Sequence, residues 1–166
     1  MLDYALRINP FDPLGMVLVE SVVFQRINAF RQRRAHDSEA GGILLGYRRG
    51  AHLHVTDATR PQPHDKRSRF QFERRDAFHQ AYALDRWRES RGALDHIGEW
   101  HSHPESSPMP SSLDRSEWRK ICAARVDLMV FMILGDRTED WLGVGSAVDA
   151  RKCLDLSCRD DDQREA

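Results

Sequence analysis

Blocks of apolar and polar residues alternate along the chain, and their periods predict helices and strands in turn. Apolar residues three and four positions apart, as at Val23, Ile27 and Phe30, are typical of an amphipathic helix. Alternation with a period of two, as in residues 52–59, is typical of a strand with one buried face. The predicted helices span residues 21–34, with Ser21 as the N-cap, 76–91 and 112–125, and the predicted strands span residues 41–48, 52–59, 70–72, 94–103, 128–134, 141–148 and 153–156.

The apolar run at residues 128–134 does not alternate, which is typical of a strand that is covered on both faces and lies inside a sheet. Helices and strands that follow one another in this way predict an α/β (α+β) fold, in which helices pack around a mixed β-sheet. The helix faces predicted to point inward carry Phe78, Ala81 and Tyr82 in the second helix and Trp118, Ile121 and Cys122 in the third.

A chain of 166 residues is long enough for one domain with a sizeable core. We expect this domain to span residues 1–158. Residues 159–166 are polar and rich in acidic side chains, and we expect them to form a disordered tail. The sequence leaves the oligomeric state open.

The charge and the cysteines narrow the class of protein. A net charge of −1 argues against binding to nucleic acid or to an acidic membrane surface. The chain has no apolar run of about 20 residues, and its N-terminus lacks the pattern of a signal peptide. Cys122, Cys153 and Cys158 are odd in number and lack Cys-x-x-Cys spacing, which favours reduced thiols in a cytoplasmic protein, with a Cys153–Cys158 bond as the alternative.

Candidate metal ligands lie at the end of the predicted strand 94–103 and just after it. His101 and His103 lie two positions apart, so both imidazoles project from one face of an extended strand. Ser111 and Asp114 complete the spacing H-x-H-x7-S-x2-D, and Asp114 can return from the next segment as a third ligand. Two histidines and one carboxylate suit Zn²⁺ and leave the fourth position open, as in catalytic rather than structural zinc sites.

With Pro104, this stretch resembles the JAMM (MPN+) metalloprotease motif. Residues 39–46, Glu-Ala-Gly-Gly-Ile-Leu-Leu-Gly, are similar to the upstream glutamate motif of that family, and the resemblance extends over residues 19–148. It implies a single MPN/JAMM-like domain and a zinc-dependent peptidase that cuts isopeptide or peptide bonds at the C-terminus of ubiquitin-like proteins. The chain also resembles the compact bacterial branch, some of whose members lie beside ubiquitin-like conjugation enzymes in anti-phage (CBASS) operons.

The resemblance implies roles for the candidate catalytic residues. Glu39 would be the general base, and Ser111 would donate a hydrogen bond to the oxyanion. Ser111 could also act as a helix N-cap, a role for which Ser112 competes. Glu99 lies on the same strand face as His101, where many eukaryotic relatives carry an aromatic residue. It is open whether Glu99 orients an imidazole, contacts the substrate or rivals Glu39 as the base.

The resemblance also implies a protein partner with a ubiquitin-like or extended C-terminal tail, which in the CBASS setting belongs to a conjugated nucleotidyltransferase. Six basic residues in segment 60–75 form either a solvated face or a docking face for that partner. One alternative is a peptidase that trims a sulfur-carrier precursor. Another is a non-catalytic MPN scaffold, although such scaffolds usually lack one or more of the ligands that are present here.

Overall fold

The computed structural model describes residues 4–156, so the predicted tail at 159–166 and Cys158 lie outside the described residues. No helix in this range is long and apolar enough to cross a membrane. In chain order the elements are β1 (Ala5–Ile8), β2 (Met16–Val19), α1 (Ser21–Ile27), a 3₁₀ turn (Asn28–Phe30), β3 (Gly41–Arg49), β4 (His52–Ala58), β5 (Lys66–Ser68), β6 (Gln71–Glu73), α2 (Phe78–Glu89), β7 (Asp95–Ser102), α3 (Ser112–Ala123), β8 (Met129–Leu134), β9 (Asp140–Gly145) and β10 (Ala150–Lys152).

Eight strands form one mixed sheet in the order β1-β2-β4-β3-β7-β8-β9-β10. The β2–β4 and β7–β8 pairs are parallel, and the other pairs are antiparallel. Strands β5 and β6 pair only with each other, as a small hairpin over residues 66–73. Helices contact this sheet through separate apolar clusters, which confirms the predicted α/β fold.

Strand β8 shows why its apolar run is continuous. Alternate side chains point to opposite faces of a strand, so a strand with helices on both sides needs apolar residues at every position. One face of β8 packs into the core that contains α1, and the other packs into the core that contains α3. The first set is Val130, Met132 and Leu134, and the second set is Met129, Phe131 and Ile133.

Several predicted boundaries were wrong. The first helix ends at Ile27 rather than near residue 34, and Glu20 occupies its N-cap position in place of Ser21. The predicted strand at 153–156 is absent: the last described strand is Ala150–Lys152, and Leu154 forms an isolated bridge with Ile8. The two N-terminal strands were missed because each has only four residues and no strong alternation.

The inward face of α2 was predicted correctly only at Tyr82, which packs against the apolar residues of β3. Phe78 and Ala81 are exposed, whereas His79 is completely buried. The imidazole of His79 bonds to the hydroxyl of Thr59 at 2.7 Å and to the buried carboxylate of Asp65 at 2.8 Å. A helix that buries a hydrogen-bonded polar side chain escapes a search for apolar periodicity. This pair ties the segment before α2 to the sheet.

The two described cysteines form no bond with each other, and the alternative Cys153–Cys158 bond lies outside the described residues. Cys122 and Cys153 are both buried and free, and burial raises the pKa of their thiols to about 11 and about 12. Both thiols are therefore protonated and unreactive at neutral pH.

Candidate metal centre

The predicted ligands meet at the carboxyl end of β7. His101 lies between Gly41 of β3 and Ile133 of β8 in the sheet register. His103 follows one residue past the strand, where its backbone N–H donates to the carbonyl of Leu134 at 2.9 Å. Both imidazoles are largely buried, so the end of this interior strand presents two nitrogens in a water-poor site.

The three candidate ligands converge. The Nε2 atoms of His101 and His103 are 3.0 Å apart. Asp114 places Oδ1 3.3 Å from Nε2 of His101 and Oδ2 3.4 Å from Nε2 of His103. Metal–ligand bonds of 2.0–2.1 Å in a tetrahedron give edges of about 3.3 Å between donor atoms. The spacing and the nitrogen–oxygen donor set of these residues fit Zn²⁺.

Asp114 lies in the first turn of α3, where its hydrogen bonds with Ser111 hold its carboxylate at the centre. Its Oδ2 accepts from the backbone N–H and from the hydroxyl of Ser111, both at 2.7 Å, while its own N–H donates to Ser111 Oγ at 3.1 Å. This reciprocal arrangement is a capping box, and it makes Ser111 rather than Ser112 the N-cap. The spacing of two residues between Ser111 and Asp114 thus has a structural cause, which coexists with any catalytic role.

Glu39 lies close to the two imidazoles. An oxygen of its carboxylate and the ring nitrogens of His101 and His103 all lie within 4.8 Å of one another. Burial raises the pKa of Glu39 from its usual 4.5 to about 7, against the opposing charge of His103. Burial would also raise the pKa of Asp114, but hydrogen bonds from His101 and His103 hold it well below its usual value. Asp114 is therefore ionised, and Glu39 can exchange a proton near neutral pH.

The imidazole of His103 has a second nitrogen to satisfy. Its Nδ1 is buried without a hydrogen-bond partner, and the nearby carboxylate of Glu105 is 3.7 Å away. Burial lowers the pKa of His103, but hydrogen bonding to Asp114 and its charge raise it above its usual value overall. Ligand histidines commonly donate their second N–H to a carboxylate, and a small rotation would let Glu105 accept it. Glu105 was not among the predicted site residues, and its only signal in the sequence is its position two residues after His103.

The segment that carries Glu39 is held by the β5–β6 hairpin. The N–H of Glu39 donates to the carbonyl of Ser68 at 2.7 Å, and its carbonyl accepts from Nε of Arg67 at 2.8 Å. A Cβ at Gly41 would lie 2.5 Å from the ring of Phe72. Gly41, inside the Glu39 motif, is therefore needed for packing against the chain's own hairpin.

Three arginines of the basic segment 60–75 form hydrogen bonds or a salt bridge with other residues of the chain. Arg67 binds backbone carbonyls beside Glu39, and Arg69 binds the carbonyl of Ala35 at 2.6 Å. Arg74 pairs with Glu99 at 2.5 Å. The partner of Glu99 among the described residues is therefore a guanidinium, not an imidazole of the ligand pair. Reversing these three charges would therefore break contacts that hold the site together.

A stack of three aromatic rings packs beside His101. Trp118 lies one helical turn after Asp114, with its ring centroid 6.0 Å from that of His101. It stacks between Phe131 and Trp141, at centroid distances of 4.4 and 5.3 Å. This packing fixes α3, and with it Asp114, against β8 and β9. A second H-x-H pair, His52 and His54, lies in β4, where His54 bonds to Glu20 at 2.6 Å.

A cleft of about 700 Å³ opens over these residues. The β5–β6 hairpin forms one wall, with Phe70 and Phe72, and the start of α3 forms another, with Leu113. Phe70 and Leu113 are 75% and 57% exposed, so the mouth of the cleft carries uncovered apolar surface. A cleft of this size with apolar walls and a polar floor suits an extended peptide.

The raised pKa of Glu39 has a consequence for stability. A carboxyl group whose pKa is higher in the folded than in the unfolded state favours folding while it is protonated. That advantage is lost as the pH rises from the unfolded value of 4.5 through the folded value of about 7. The cost above pH 7 is on the order of 3 kcal/mol for a shift of this size.

We therefore expect Glu39→Gln to stabilise the metal-free protein at alkaline pH. Thermal unfolding in a chelator should give equal melting temperatures for the two proteins near pH 4. At pH 8.5 the variant should melt higher by about 5–10 °C. A constant difference between the two melting temperatures across this pH range would contradict the assignment.

Residues 21–144 match the Prok-JAB family, described as prokaryotic homologs of the JAB domain. A Pseudomonas aeruginosa protein named CD-NTase/cGAS isopeptidase is 51% identical over 104 residues, which span 61% of this chain and 66% of that protein. A protein of the same name from Escherichia coli is 37% identical over 145 residues, 87% of this chain and 90% of the relative. A third, from Vibrio cholerae, is 37% identical over 128 residues, 77% of this chain and 81% of the relative.

A protein from Desulfitobacterium hafniense whose structure was determined in solution has a similar fold. It superposes with a TM-score of 0.55 at 19% sequence identity, over 81% of this chain and 89% of that one. This likeness concerns the fold alone.

Proposed function

The chain belongs to the Prok-JAB family, and we propose that it is a zinc-dependent isopeptidase that releases the C-terminus of a CD-NTase from a lysine to which it has been joined. The observation that carries the proposal is the convergence of His101, His103, Asp114 and Glu39 at the floor of an open cleft. The substrate class is supported by the names of the relatives from Pseudomonas aeruginosa, Escherichia coli and Vibrio cholerae.

His101, His103 and Asp114 would hold the metal. When bound, zinc supplies Lewis acidity, which polarises a carbonyl group and lowers the pKa of water. The chain contributes two imidazoles and one ionised carboxylate, with the orientation of Asp114 set by its capping bonds to Ser111. These three residues leave the cleft side of the centre open to a substrate carbonyl.

Glu39 would act as the general base. Its carboxylate accepts the proton of the attacking water and then delivers that proton to the leaving lysine amine. A pKa of about 7 suits both steps, because the group gains and loses a proton with equal ease at physiological pH. Glu99 is less suited to this role, since Arg74 holds its carboxylate.

Ser111 would donate a hydrogen bond to the oxyanion. Its hydroxyl, which donates to Asp114 in the free protein, lies at the helix N-terminus and lines the cleft. If that hydroxyl turned towards the substrate, the carboxylate of Asp114 would still accept a hydrogen bond from the backbone N–H of Ser111. A donor aimed at the developing negative charge stabilises the transition state more than the ground state.

The proposal is tested with defined conjugates. The zinc-loaded protein should release the CD-NTase tail from a lysine-linked isopeptide conjugate, and a chelator should stop this release. A ubiquitin conjugate and a sulfur-carrier precursor serve as alternative substrates. Cleavage of the sulfur-carrier precursor alone would favour the trimming peptidase, and cleavage of none of the three would contradict the proposal.

The exposed apolar mouth of the cleft gives a prediction about substrate binding. If the body or tail of the substrate covers Phe70, Phe70→Ala should raise KM about 10-fold or more, because burying such a ring stabilises a complex by about 1.5–3 kcal/mol. The value of kcat and the melting temperature should stay unchanged. Val126→Ala, at an exposed apolar residue outside the cleft, is the matched control. Equal effects of both variants on KM would argue against this docking mode.

A further inference from the structure

We infer that Gln32 and Ser102, two buried side chains without an assigned role, are positioning residues that set Glu39 against the ligand pair. Ser102 stands between His101 and His103, and Gln32 lies 70 positions away in sequence, before the Glu39 segment. Ser102 is 0% exposed and Gln32 is 2% exposed. The inference rests on the proposed role of Glu39 as the base.

Ser102 bonds to the residue that follows Glu39. The hydroxyl oxygen of Ser102 accepts from the backbone N–H of Ala40 at 2.9 Å. The N–H of Ser102 donates to the carbonyl of Ala40 at 2.8 Å. Ala40 is therefore fixed on both sides by the one residue that lies between the two imidazoles.

Gln32 completes the arrangement. Its Oε1 accepts from the hydroxyl of Ser102 at 3.1 Å, which directs the free lone pairs of that hydroxyl towards Ala40. Its Nε2 donates to the carbonyl of Asp37 at 3.2 Å and to the carbonyl of Arg69 at 2.7 Å. One amide group thus joins the ligand strand, the segment before Glu39 and the β5–β6 hairpin.

The directionality of hydrogen bonds explains why the polar side chains of Gln32 and Ser102 are buried here. An apolar core could hold the same segments together, but it would not fix their relative positions to fractions of an ångström, whereas directional hydrogen bonds do. The Gln32 amide and the Ser102 hydroxyl are bonded within the described residues, so nothing is left to relax. Catalysis by Glu39 depends on this precision, because a displacement of about 1 Å can lower a rate about 10²-fold.

Gln32→Ala and Ser102→Ala test the inference. Each variant should lower kcat about 10–10²-fold with KM and zinc affinity within about threefold of the parent protein. The double variant should be no worse than either single variant, because both residues act through one arrangement. Ser102→Thr, which keeps the hydroxyl, should recover most of the activity, and Gln25→Ala at an exposed glutamine of α1 is the control.

Two readouts separate this role from general stabilisation. In the Glu39→Gln background, Gln32→Ala should change the residual kcat less than about twofold, since the positioned group is gone. Without any substrate, Gln32→Ala should also speed hydrogen exchange at the Ala40 N–H about 10-fold or more and shift the ¹³C resonance of the Glu39 carboxyl group.

These outcomes test the positioning role of Gln32 and Ser102 even if the enzyme cleaves a substrate other than the proposed one. Unchanged exchange at Ala40 and an unchanged Glu39 resonance in Gln32→Ala would overturn the inference whatever the enzyme cleaves. A loss of zinc in Gln32→Ala, or a fall in kcat that persists in the Glu39→Gln background, would also overturn it, because the residues would then act on the metal or on the fold. Failure of the parent protein to cleave any conjugate would instead contradict the proposed function.

Discussion

Glu39→Gln is expected to lower kcat by about 10²–10⁴-fold while the protein keeps its fold and its zinc. Glutamine has the shape of glutamate but cannot accept the proton of the attacking water. His101, His103 and Asp114 all remain as donors in this variant, so metal binding should stay intact. Steady-state kinetics on a cleavable conjugate, together with metal analysis of the same preparation, measure both effects.

Glu99→Ala is the matched control for this prediction. Glu99 is a second carboxylate in the same cleft, two residues before His101, and its salt bridge to Arg74 gives it a structural role. We expect its removal to cost much less activity than the loss of Glu39. Normal cleavage by Glu39→Ala together with an inactive Glu99→Ala would show that the base has been assigned to the wrong residue.

Removing two ligands should abolish the metal site. The double variant His103→Ala with Asp114→Ala leaves a single histidine, and a catalytic zinc site needs three protein ligands. We expect the zinc content to fall from about one ion per chain to less than about a tenth, and cleavage to disappear with it. Elemental analysis after gel filtration measures the metal, and circular dichroism shows whether the fold survives.

Ser111→Ala is the control for the ligand variant. It removes the N-cap of α3 and should cost about 1 kcal/mol of stability, but both histidines and Asp114 remain to bind the metal. Unchanged zinc content in the double ligand variant would contradict the metal site. A complete loss of zinc in Ser111→Ala would mean that the cap, rather than the donor atoms alone, determines binding.

The site works against the stability of the fold. Glu39 is 6% exposed, and its burial disfavours the charged form that the proposed reaction needs. The backbone of the segment that carries it is fixed by Ser68, Arg67 and Ser102. A carboxylate that costs stability is thus held firmly in place, which is expected if Glu39 has the proposed catalytic role.

Local spacing explains why the sequence indicated so much of the site. His101 and His103 share a strand face because side chains alternate with a period of two. Ser111 and Asp114 share a helix start because a capping box has a fixed spacing. The two motifs also indicated the family correctly.

The elements around the site were harder to predict. Strands β1 and β2 are short, and strand β2 pairs in parallel with β4, a partner that is distant in sequence. The buried face of α2 carries His79, whose partners Thr59 and Asp65 come from other segments. No local pattern reveals such partners, because each is chosen by the packing of the whole chain.

By itself, the sequence determined which residues could carry the chemistry, since ligand spacing, strand alternation and helix capping act over a few positions. Only the tertiary structure decided how those residues are held. It gave Arg67 and Arg74 partners within the chain, and it joined Gln32 to Ser102 across 70 positions. It also placed Glu39 near the imidazoles with a pKa of about 7. Burial and long-range hydrogen bonds set these properties, and both exist only once distant segments of the chain have packed together.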